Sequence, residues 1–200
     1  LGYQREHPDR VRGYVAVNPN YTAHALAEID RCLDAGMIGI KLAASRRCTD
    51  PLLHPICERA AARGVPILHH IWQHRRHEEP GQGASDGVER CQLARRHPRV
   101  RFILAHIGGG GDWLHTLHAA RDVPNVYLDL SGSGVDGGML EGALEAVGAG
   151  RLLWGCDLTI CTGLGKLRYL EHLLSADELE SVRWRNAARV FPGLVQEAAR

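Results

Sequence analysis

The stretch Val65-Pro66-Ile67-Leu68-His69-His70 decides the fold class of this chain. It is a short apolar run that follows Gly64 and ends in two histidines. A run that is continuously apolar, rather than alternating, is typical of a strand covered on both faces, as in a parallel sheet packed between layers. The preceding segment has the spacing of an amphipathic helix, with Asp50 and Pro51 at its start and Gly64 at its end. The sequence therefore predicts a helix followed by a buried strand.

The same alternation of strand and helix recurs along the whole chain. The predicted strands are Val11–Asn18, Met37–Leu42, Val65–His70, Arg101–His106, Val126–Ser131 and Leu152–Asp157. Repeated units of this kind imply parallel strands joined by right-handed crossovers. An open doubly wound sheet and a (β/α)8 barrel both fit the pattern, and a complete barrel normally needs about 250 residues. No linker or low-complexity tract interrupts the chain, so residues 1–200 are predicted to form one domain.

Composition argues against several classes of function. The 24 basic and 23 acidic residues nearly balance, so no strong field would draw the chain to nucleic acid or to an anionic membrane. No apolar stretch approaches the roughly 20 residues needed to cross a bilayer. Cys32, Cys57 and Cys91 fall in predicted helices and no Cys-x-x-Cys pair occurs, which indicates a cytosolic protein rather than a disulfide scaffold. We therefore expect a cytoplasmic protein with a small-molecule substrate, and we leave a homo-oligomer open.

Three predicted strands end on residues that can bind a metal or move a proton, namely His70, His106 and Asp157. The carboxyl ends of all strands in a parallel barrel point to one face, so these side chains can converge. Neutral imidazole and carboxylate suit Zn²⁺ or a similar divalent ion. With 12 histidines in the chain, however, two strands that end in histidine can also arise by chance. The pattern alone leaves a shared site and separate structural residues equally open.

Seven short phrases extend this pattern over nearly the whole chain. They are His7-Pro8-Asp9-Arg10 with Val17-Asn18-Pro19, Gly39-Ile40-Lys41-Leu42, Gly64-Val65-Pro66-Ile67-Leu68-His69-His70, Ala105-His106-Ile107-Gly108-Gly109, Pro124-Asn125-Val126-Tyr127-Leu128-Asp129, Arg151-Leu152-Leu153-Trp154-Gly155-Cys156-Asp157 and Asn186-Ala187-Ala188-Arg189-Val190-Phe191. In these phrases the chain resembles the amidohydrolase-related (amidohydrolase 2) family of metal-dependent hydrolases and nonoxidative decarboxylases. The resemblance implies an enzyme with a (β/α)8 TIM barrel of the metal-dependent hydrolase type. The chain would supply strands 3 to 8 of that barrel and lack about the first two β/α units.

The resemblance also implies roles for the strand-end residues. His70 matches a metal ligand on the fifth strand of such barrels, and Asp157 matches a carboxylate on the eighth that binds the metal and accepts a proton from water. His106 matches a histidine on the sixth strand and is therefore a candidate acid–base residue. Side-chain alternation along a strand favours His70 over His69 as the ligand, whereas a bulge in the strand would favour His69.

Three further residues are candidates for substrate binding. Lys41 ends its predicted strand, Arg46 lies in the following loop where it could pair with a substrate carboxylate, and Trp72 follows His70 closely. Lys41 and Arg46 also have simpler interpretations, as a structural lysine and as a solvated loop arginine.

One expected feature is absent from the sequence. The first strand of the family carries His-x-His, which supplies two more metal ligands, and this motif does not occur here. His70 and Asp157 alone make a poor divalent site, so we expect the chain to be a fragment of an intact enzyme. A start placed too far downstream and a degenerate gene product are the alternatives.

The expected activity is hydrolysis of a small amide, ester or lactone by water that a divalent ion activates. Zinc is the favoured ion and manganese the alternative. A metal-dependent nonoxidative decarboxylase on the same scaffold is the alternative chemistry. A non-catalytic interaction module is the alternative from another class. A phosphate-binding TIM barrel fits less well, because it gives no reason for the three strand-end residues.

Overall fold

The computed structural model describes residues 1–43, 45–71, 83–107, 113–158, 162–191 and 194. Within these ranges, six parallel strands form one sheet in the order β1-β2-β3-β4-β5-β6. The strands are β1 Tyr14–Ala16, β2 Gly39–Leu42, β3 Ile67–His70, β4 Phe102–Ala105, β5 Val126–Asp129 and β6 Leu152–Leu153. Each lies inside its predicted range and is shorter than predicted, so the sequence located all six strands but extended them too far.

A helix follows each strand of the sheet. The helices are α1 Gly2–Glu6, α2 Thr22–Asp34, α3 His54–Arg63, α4 Gly87–Arg96, α5 Trp113–Ala120, α6 Met139–Val147, α7 Gly163–Leu170, α8 Ala176–Glu180 and α9 Asn186–Val190. A π-helical turn over Ser181–Arg185 joins α8 to α9. Short 3-10 turns cover Pro19–Tyr21, Pro51–Leu53 and Ala149–Arg151. Among the described helices, none combines the length and the apolar character that a bilayer crossing requires.

The predicted helix ends are confirmed where the structure describes them. The Asp50 side chain accepts the N–H of Leu52 at the 3-10 turn that leads into α3. Gly64 ends α3 with φ of 65°, a left-handed conformation that glycine adopts without steric cost. Ser175-x-x-Glu178 is a capping-box pattern in the sequence, and it begins α8 with both of its hydrogen bonds present. The sequence also predicts a helix start at Asp112, which lies outside the described residues.

Both faces of the sheet are covered, which explains the continuous apolar runs. In β4, Phe102 and Leu104 belong to the large core between the sheet and its helices. Ile103 points to the opposite face, where it packs in a smaller cluster with Leu153 and Phe191. Phe191 follows α9 directly, so the end of that helix covers the face of the sheet opposite to the large core, here called the inner face. A strand buried on both sides has no position at which a polar residue must alternate.

Strand order distinguishes the two architectures that the sequence left open. Each strand pairs in parallel with the next one in the chain, without the reversal of direction that characterises a doubly wound sheet. Strictly sequential parallel pairing is the order of a (β/α)8 barrel. A complete barrel has eight strands, and the described chain contains six of them. The fold is therefore part of a TIM barrel, as predicted.

Candidate active site

His70, His106 and Asp157 meet at the carboxyl end of the sheet. His70 is the last residue of β3, His106 follows β4, and Asp157 comes soon after β6. The ring centroids of the two histidines are 4.8 Å apart, with their planes at 65°. Nδ1 of His106 lies 3.6 Å from Oδ2 of Asp157. The three strand ends thus converge as the parallel arrangement predicts.

The backbone is strained at two of these three positions. His106 and Asp157 have φ values of 67° and 48°, and in the described chain no other non-glycine residue has a positive φ. A left-handed conformation costs a residue with a Cβ about 1–2 kcal/mol. Strain of this kind concentrates at functional sites, where the surrounding structure maintains it. This observation marks the site independently of the chemistry of its side chains.

The two adjacent histidines of β3 face opposite sides of the sheet. His69 is 1% exposed, and its ring nitrogens lie 3.2 Å from Sγ of Cys48 and 3.2 Å from the carbonyl oxygen of Ala43. His70 is half-buried and packs against His106. The strand pairs residue by residue with β4, without a bulge. His70 is therefore the histidine on the site's side of the sheet.

Burial favours the neutral form of both site histidines. Desolvation lowers the pKa of His70 to about 4, and electrostatic repulsion by His106 and Lys41 acts in the same direction. Desolvation also lowers the pKa of His106, against the opposing effect of the Asp129 and Asp157 carboxylates. Neutral imidazole is the form that binds a metal ion or accepts a proton.

A cavity of about 310 Å³ opens at this end of the sheet. Its polar lining includes Lys41, His106, Asp129, Ser131 and Asp157. Its apolar lining includes Leu68, Ile103, Leu153 and Phe191. This size is at the lower end for small-molecule sites, which combine apolar walls with a few polar groups in the same way.

The three candidate substrate-binding residues differ in position. Lys41 lines the cavity; burial lowers the pKa of its ammonium group, while the carboxylates of Asp129 and Asp157 raise it. Arg46 is not among the lining residues of the cavity; its guanidinium pairs with Asp50 at 3.4 Å and also donates to the Asn20 side chain. Trp72 lies outside the described residues. Of the two candidates that the structure describes, Lys41 is at the cavity and Arg46 is not.

The sequence reasoning missed Asp129 and Ser131. Asp129 is the last residue of β5, and its carboxylate accepts hydrogen bonds from the Ser131 hydroxyl, from the Ser131 N–H at 3.2 Å and from the His106 N–H at 3.4 Å. The Ser131 oxygen also lies 3.0 Å from Nδ1 of His106. Asp129 is an aspartate at the carboxyl end of β5, and Asp157 is an aspartate shortly after the carboxyl end of β6. That shared position is the signal that could have identified it.

Lys166 of α7 was also missed. Its side chain is 1% exposed, and its ammonium group donates to the carbonyl oxygens of Leu130 at 2.9 Å, Gly132 at 3.1 Å and Ser131 at 3.4 Å. A buried cation that binds three successive carbonyl oxygens fixes the course of the chain after β5. Nothing local in the sequence predicts this contact, because the lysine lies on a later helix.

The amidohydrolase family model, Amidohydro_2, matches residues 4–193. The chain belongs to the amidohydrolase 2 family. The resemblance predicted from the seven phrases is therefore confirmed, as is the kind of barrel that it implied. No curated protein matches the chain significantly.

Solved structures of similar fold include three decarboxylases. The 5-carboxyvanillate decarboxylase of Sphingomonas paucimobilis aligns with a TM-score of 0.72 and 21% identity, over 95% of this chain and 69% of that one. The 2,6-dihydroxybenzoate decarboxylase from Rhizobium gives 0.72 and 18%, over 95% and 73%. A dihydroxybenzoic acid decarboxylase from Polaromonas sp. JS666, with bound manganese and 2-nitroresorcinol, gives 0.69 and 19%, over 95% and 71%. At these identities the likeness shows the TIM-barrel fold.

The donor atoms at the carboxyl end of the sheet suit a divalent metal ion. The family is metal-dependent, and manganese is present in the Polaromonas structure. His70 offers a neutral imidazole and Asp157 a partly exposed carboxylate, both suitable ligand types. Among the described residues, no group of three or more His, Cys, Asp or Glu side chains is arranged to hold a metal. The residues fit the ion by chemistry and supply part of a ligand set.

Proposed function

We propose that this site performs the metal-dependent, nonoxidative decarboxylation of a small aromatic carboxylic acid. The observation that carries the proposal is the cavity, which combines the Lys41 ammonium group and the His106 imidazole with apolar walls. A flat aromatic ring suits such walls, and its carboxylate suits a half-buried cation. The names of the three solved decarboxylases, which act on 5-carboxyvanillate and dihydroxybenzoates, support the same class of substrate.

Each residue has a distinct task in this reaction. Lys41 pairs with the substrate carboxylate and orients it, while Leu68 and Ile103 pack against the ring. His106 takes up a proton from water and, in its imidazolium form, delivers it to the ring carbon that bears the carboxylate. The carbon–carbon bond then breaks, its electron pair returns to the ring, and CO₂ leaves. Because burial lowers the pKa of His106, its imidazolium form releases the proton readily.

His70 and Asp157 are proposed to hold the metal ion. When bound, a divalent ion supplies Lewis acidity that stabilises the negative charge developing on the substrate. Zinc suits these ligand types. Manganese is the alternative, supported by the manganese bound in the Polaromonas enzyme. Asp157 lies close enough to His106 to stabilise its protonated form as well.

Hydrolysis of a small amide, ester or lactone is the second candidate. The contact between Asp157 and His106 favours it, because a carboxylate beside an imidazole can take a proton from water and pass it to a leaving group. The family's description as amidohydrolases also supports this chemistry. Arg46 and Trp72 remain proposed substrate contacts for either reaction.

Assays with the metal-loaded protein separate the candidates. The protein is incubated with Mn²⁺ or Zn²⁺ and hydroxylated benzoates, and CO₂ release is measured beside hydrolysis of esters and lactones. We expect CO₂ release that is lost in His106→Asn and retained in the matched control His118→Asn, on the exposed surface of α5. Hydrolysis without CO₂ release would support the second candidate. The absence of both metal binding and turnover would favour a non-catalytic module.

A further inference from the structure

Three side chains form a hydrogen-bonded chain behind the ring of His106. The Ser131 oxygen lies between Oδ2 of Asp129 and Nδ1 of His106, at 3.0 Å from the latter. A hydroxyl group has a single hydrogen to donate. A carboxylate can only accept, so the Ser131 hydroxyl donates to Asp129. The hydroxyl hydrogen therefore points to Asp129, and the Ser131 oxygen presents a lone pair to the imidazole.

The hydrogen-bond partner of Nδ1, the Ser131 oxygen at 3.0 Å, is then an acceptor. A neutral imidazole carries one proton, and the partner of each nitrogen determines where that proton resides. An acceptor at Nδ1 places the proton there and leaves the lone pair on Nε2. Across the described residues, no protein group is hydrogen-bonded to Nε2 of His106.

We propose that Ser131 and Asp129 are positioning residues that hold His106 in the tautomer protonated at Nδ1. Nε2 is then the nitrogen that exchanges a proton with the substrate. The inference rests on the acid–base role of His106 in the proposed function. It adds the two residues that orient the ring and fix its polarity, as a carboxylate does for a catalytic histidine in other enzymes.

The surrounding backbone is arranged to maintain this contact. The same Asp129 carboxylate accepts the backbone N–H of His106, so it holds both the ring and the strained turn beneath it. Gly132 has φ of 98°, and a Cβ at this position would lie 3.0 Å from the Cβ of His106. Lys166 fixes the carbonyl groups on both sides of Ser131. The segment after β5 can therefore approach His106 only with glycine at 132.

Two substitutions test the polarity of the chain. In Asp129→Asn, the carboxamide can donate to the Ser131 oxygen, which turns the hydroxyl hydrogen towards Nδ1 and moves the imidazole proton to Nε2. Ser131→Ala removes the link without reversing it. Ser131→Thr keeps the hydroxyl and is expected to behave as the wild type. Ser133→Ala, at an exposed position two residues later, is the matched control.

Nitrogen-15 NMR of histidine-labelled protein at pH 8 reads the tautomer directly, with the His106 signals assigned by their loss in His106→Asn. We expect the Nδ1–H form in the wild type, Ser131→Thr and Ser133→Ala, and the Nε2–H form in Asp129→Asn. The kcat for the proposed reaction should fall about 100-fold in Asp129→Asn and about tenfold in Ser131→Ala, with KM changed less than twofold.

The outcomes separate the inference from the proposed function. A wild-type His106 protonated at Nε2 would overturn the inference, as would an unchanged tautomer in Asp129→Asn of native fold by circular dichroism. If Asp129→Asn does not fold, Ser131→Ala decides: an unchanged tautomer population with wild-type kcat overturns the inference. A tautomer switch as expected, in a protein without decarboxylase or hydrolase turnover, would uphold the positioning role and reject the proposed function.

Discussion

Two polar clusters lie on opposite sides of β3, one residue apart along the strand. The outer cluster, between the sheet and its helices, consists of Cys48, His69, Ser85 and Arg90. The inner cluster, at the cavity, consists of Lys41, His70, His106, Asp129, Ser131 and Asp157. Both contain a histidine from the same strand and several other polar groups. Their chemistry differs because their surroundings differ.

The outer cluster is closed to solvent. All four of its residues are 2% exposed or less. The Cys48 N–H donates to the Ser85 hydroxyl at 2.6 Å, and the Arg90 guanidinium lies 4.2 Å over the ring of Phe102. Burial raises the pKa of Cys48 and lowers that of His69, so both groups stay neutral. Such a cluster joins α4 to the sheet and offers no surface to a substrate.

The inner cluster combines opposite charges, partial exposure and strained backbone. It contains the two positive φ angles at His106 and Asp157, and its carboxylates and lysine face a common cavity. Polarity next to a strand is therefore not by itself a sign of function. Access to a cavity together with backbone strain is what separates the two sides of β3.

The largest expected contrast is in thiol reactivity. Cys57 and Cys91 pack on the outer side of the sheet, and burial raises the pKa of each to about 12. Cys156 lines the cavity. At pH 8 a thiol with a pKa of about 12 is only about 10⁻⁴ thiolate, and the thiolate is the nucleophile. Iodoacetamide should therefore modify Cys57 and Cys91 orders of magnitude more slowly than the partly exposed Cys156. Peptide mass spectrometry over time measures the rates, and denaturant should abolish the difference. Equal rates in the folded protein would contradict the assigned burial.

Replacing His106 should abolish most activity at little cost in stability. Asparagine tolerates a positive φ better than most residues, so His106→Asn should preserve the turn while removing the acid–base group. We expect kcat to fall about 10²–10³-fold. The free energy of unfolding, from urea titration, should change by less than about 1 kcal/mol. Wild-type kcat in this variant would mean that His106 does not act as the acid–base group.

Replacing His69 should have the opposite result. His69→Ala leaves a cavity and removes the imidazole partner of Cys48 and Ala43. We expect a loss of about 2–3 kcal/mol in the free energy of unfolding, with kcat within twofold of the wild type. His70→Ala is the matched comparison on the other side of the strand, where metal binding should be lost and stability should change less. If His69→Ala lost metal binding and His70→Ala lost stability instead, His69 would be the metal ligand.

Much of the fold was predictable from the sequence because the relevant signals are local. Apolar runs located the six strands, and Asp50, Gly64 and Ser175 marked helix ends through bonds to neighbouring backbone. The convergence of the strand-end residues was predictable as well. Parallel strands bring their carboxyl ends to one face, independently of the length and conformation of the loops between them.

The contacts around His106 were not predictable in the same way. Ser131 contacts the imidazole from a segment whose carbonyl groups accept hydrogen bonds from Lys166, which lies on a later helix. The backbone N–H of His106, at its positive φ, donates to the Asp129 carboxylate on another strand. These are long-range contacts between polar side chains, and no periodicity encodes them. Strand ends were also predicted too long, because the chain turns into the site while its sequence is still apolar.

The smallest expected effect tests how closely the inner cluster is packed. Gly155 lies against Asp129, and a Cβ at this position would come within 2.5 Å of Oδ1 of Asp129. Gly155→Ala should therefore displace the carboxylate from Ser131 and lower kcat about three- to tenfold. Gly165→Ala, in α7, is the control, because a Cβ there meets nothing within 4 Å and alanine favours the helix. Wild-type kcat in Gly155→Ala would mean that the position of Asp129 does not matter to the reaction. A loss confined to Gly155→Ala would show that the inner cluster, unlike a solvated polar surface, depends on the placement of a carboxylate that need not touch the substrate.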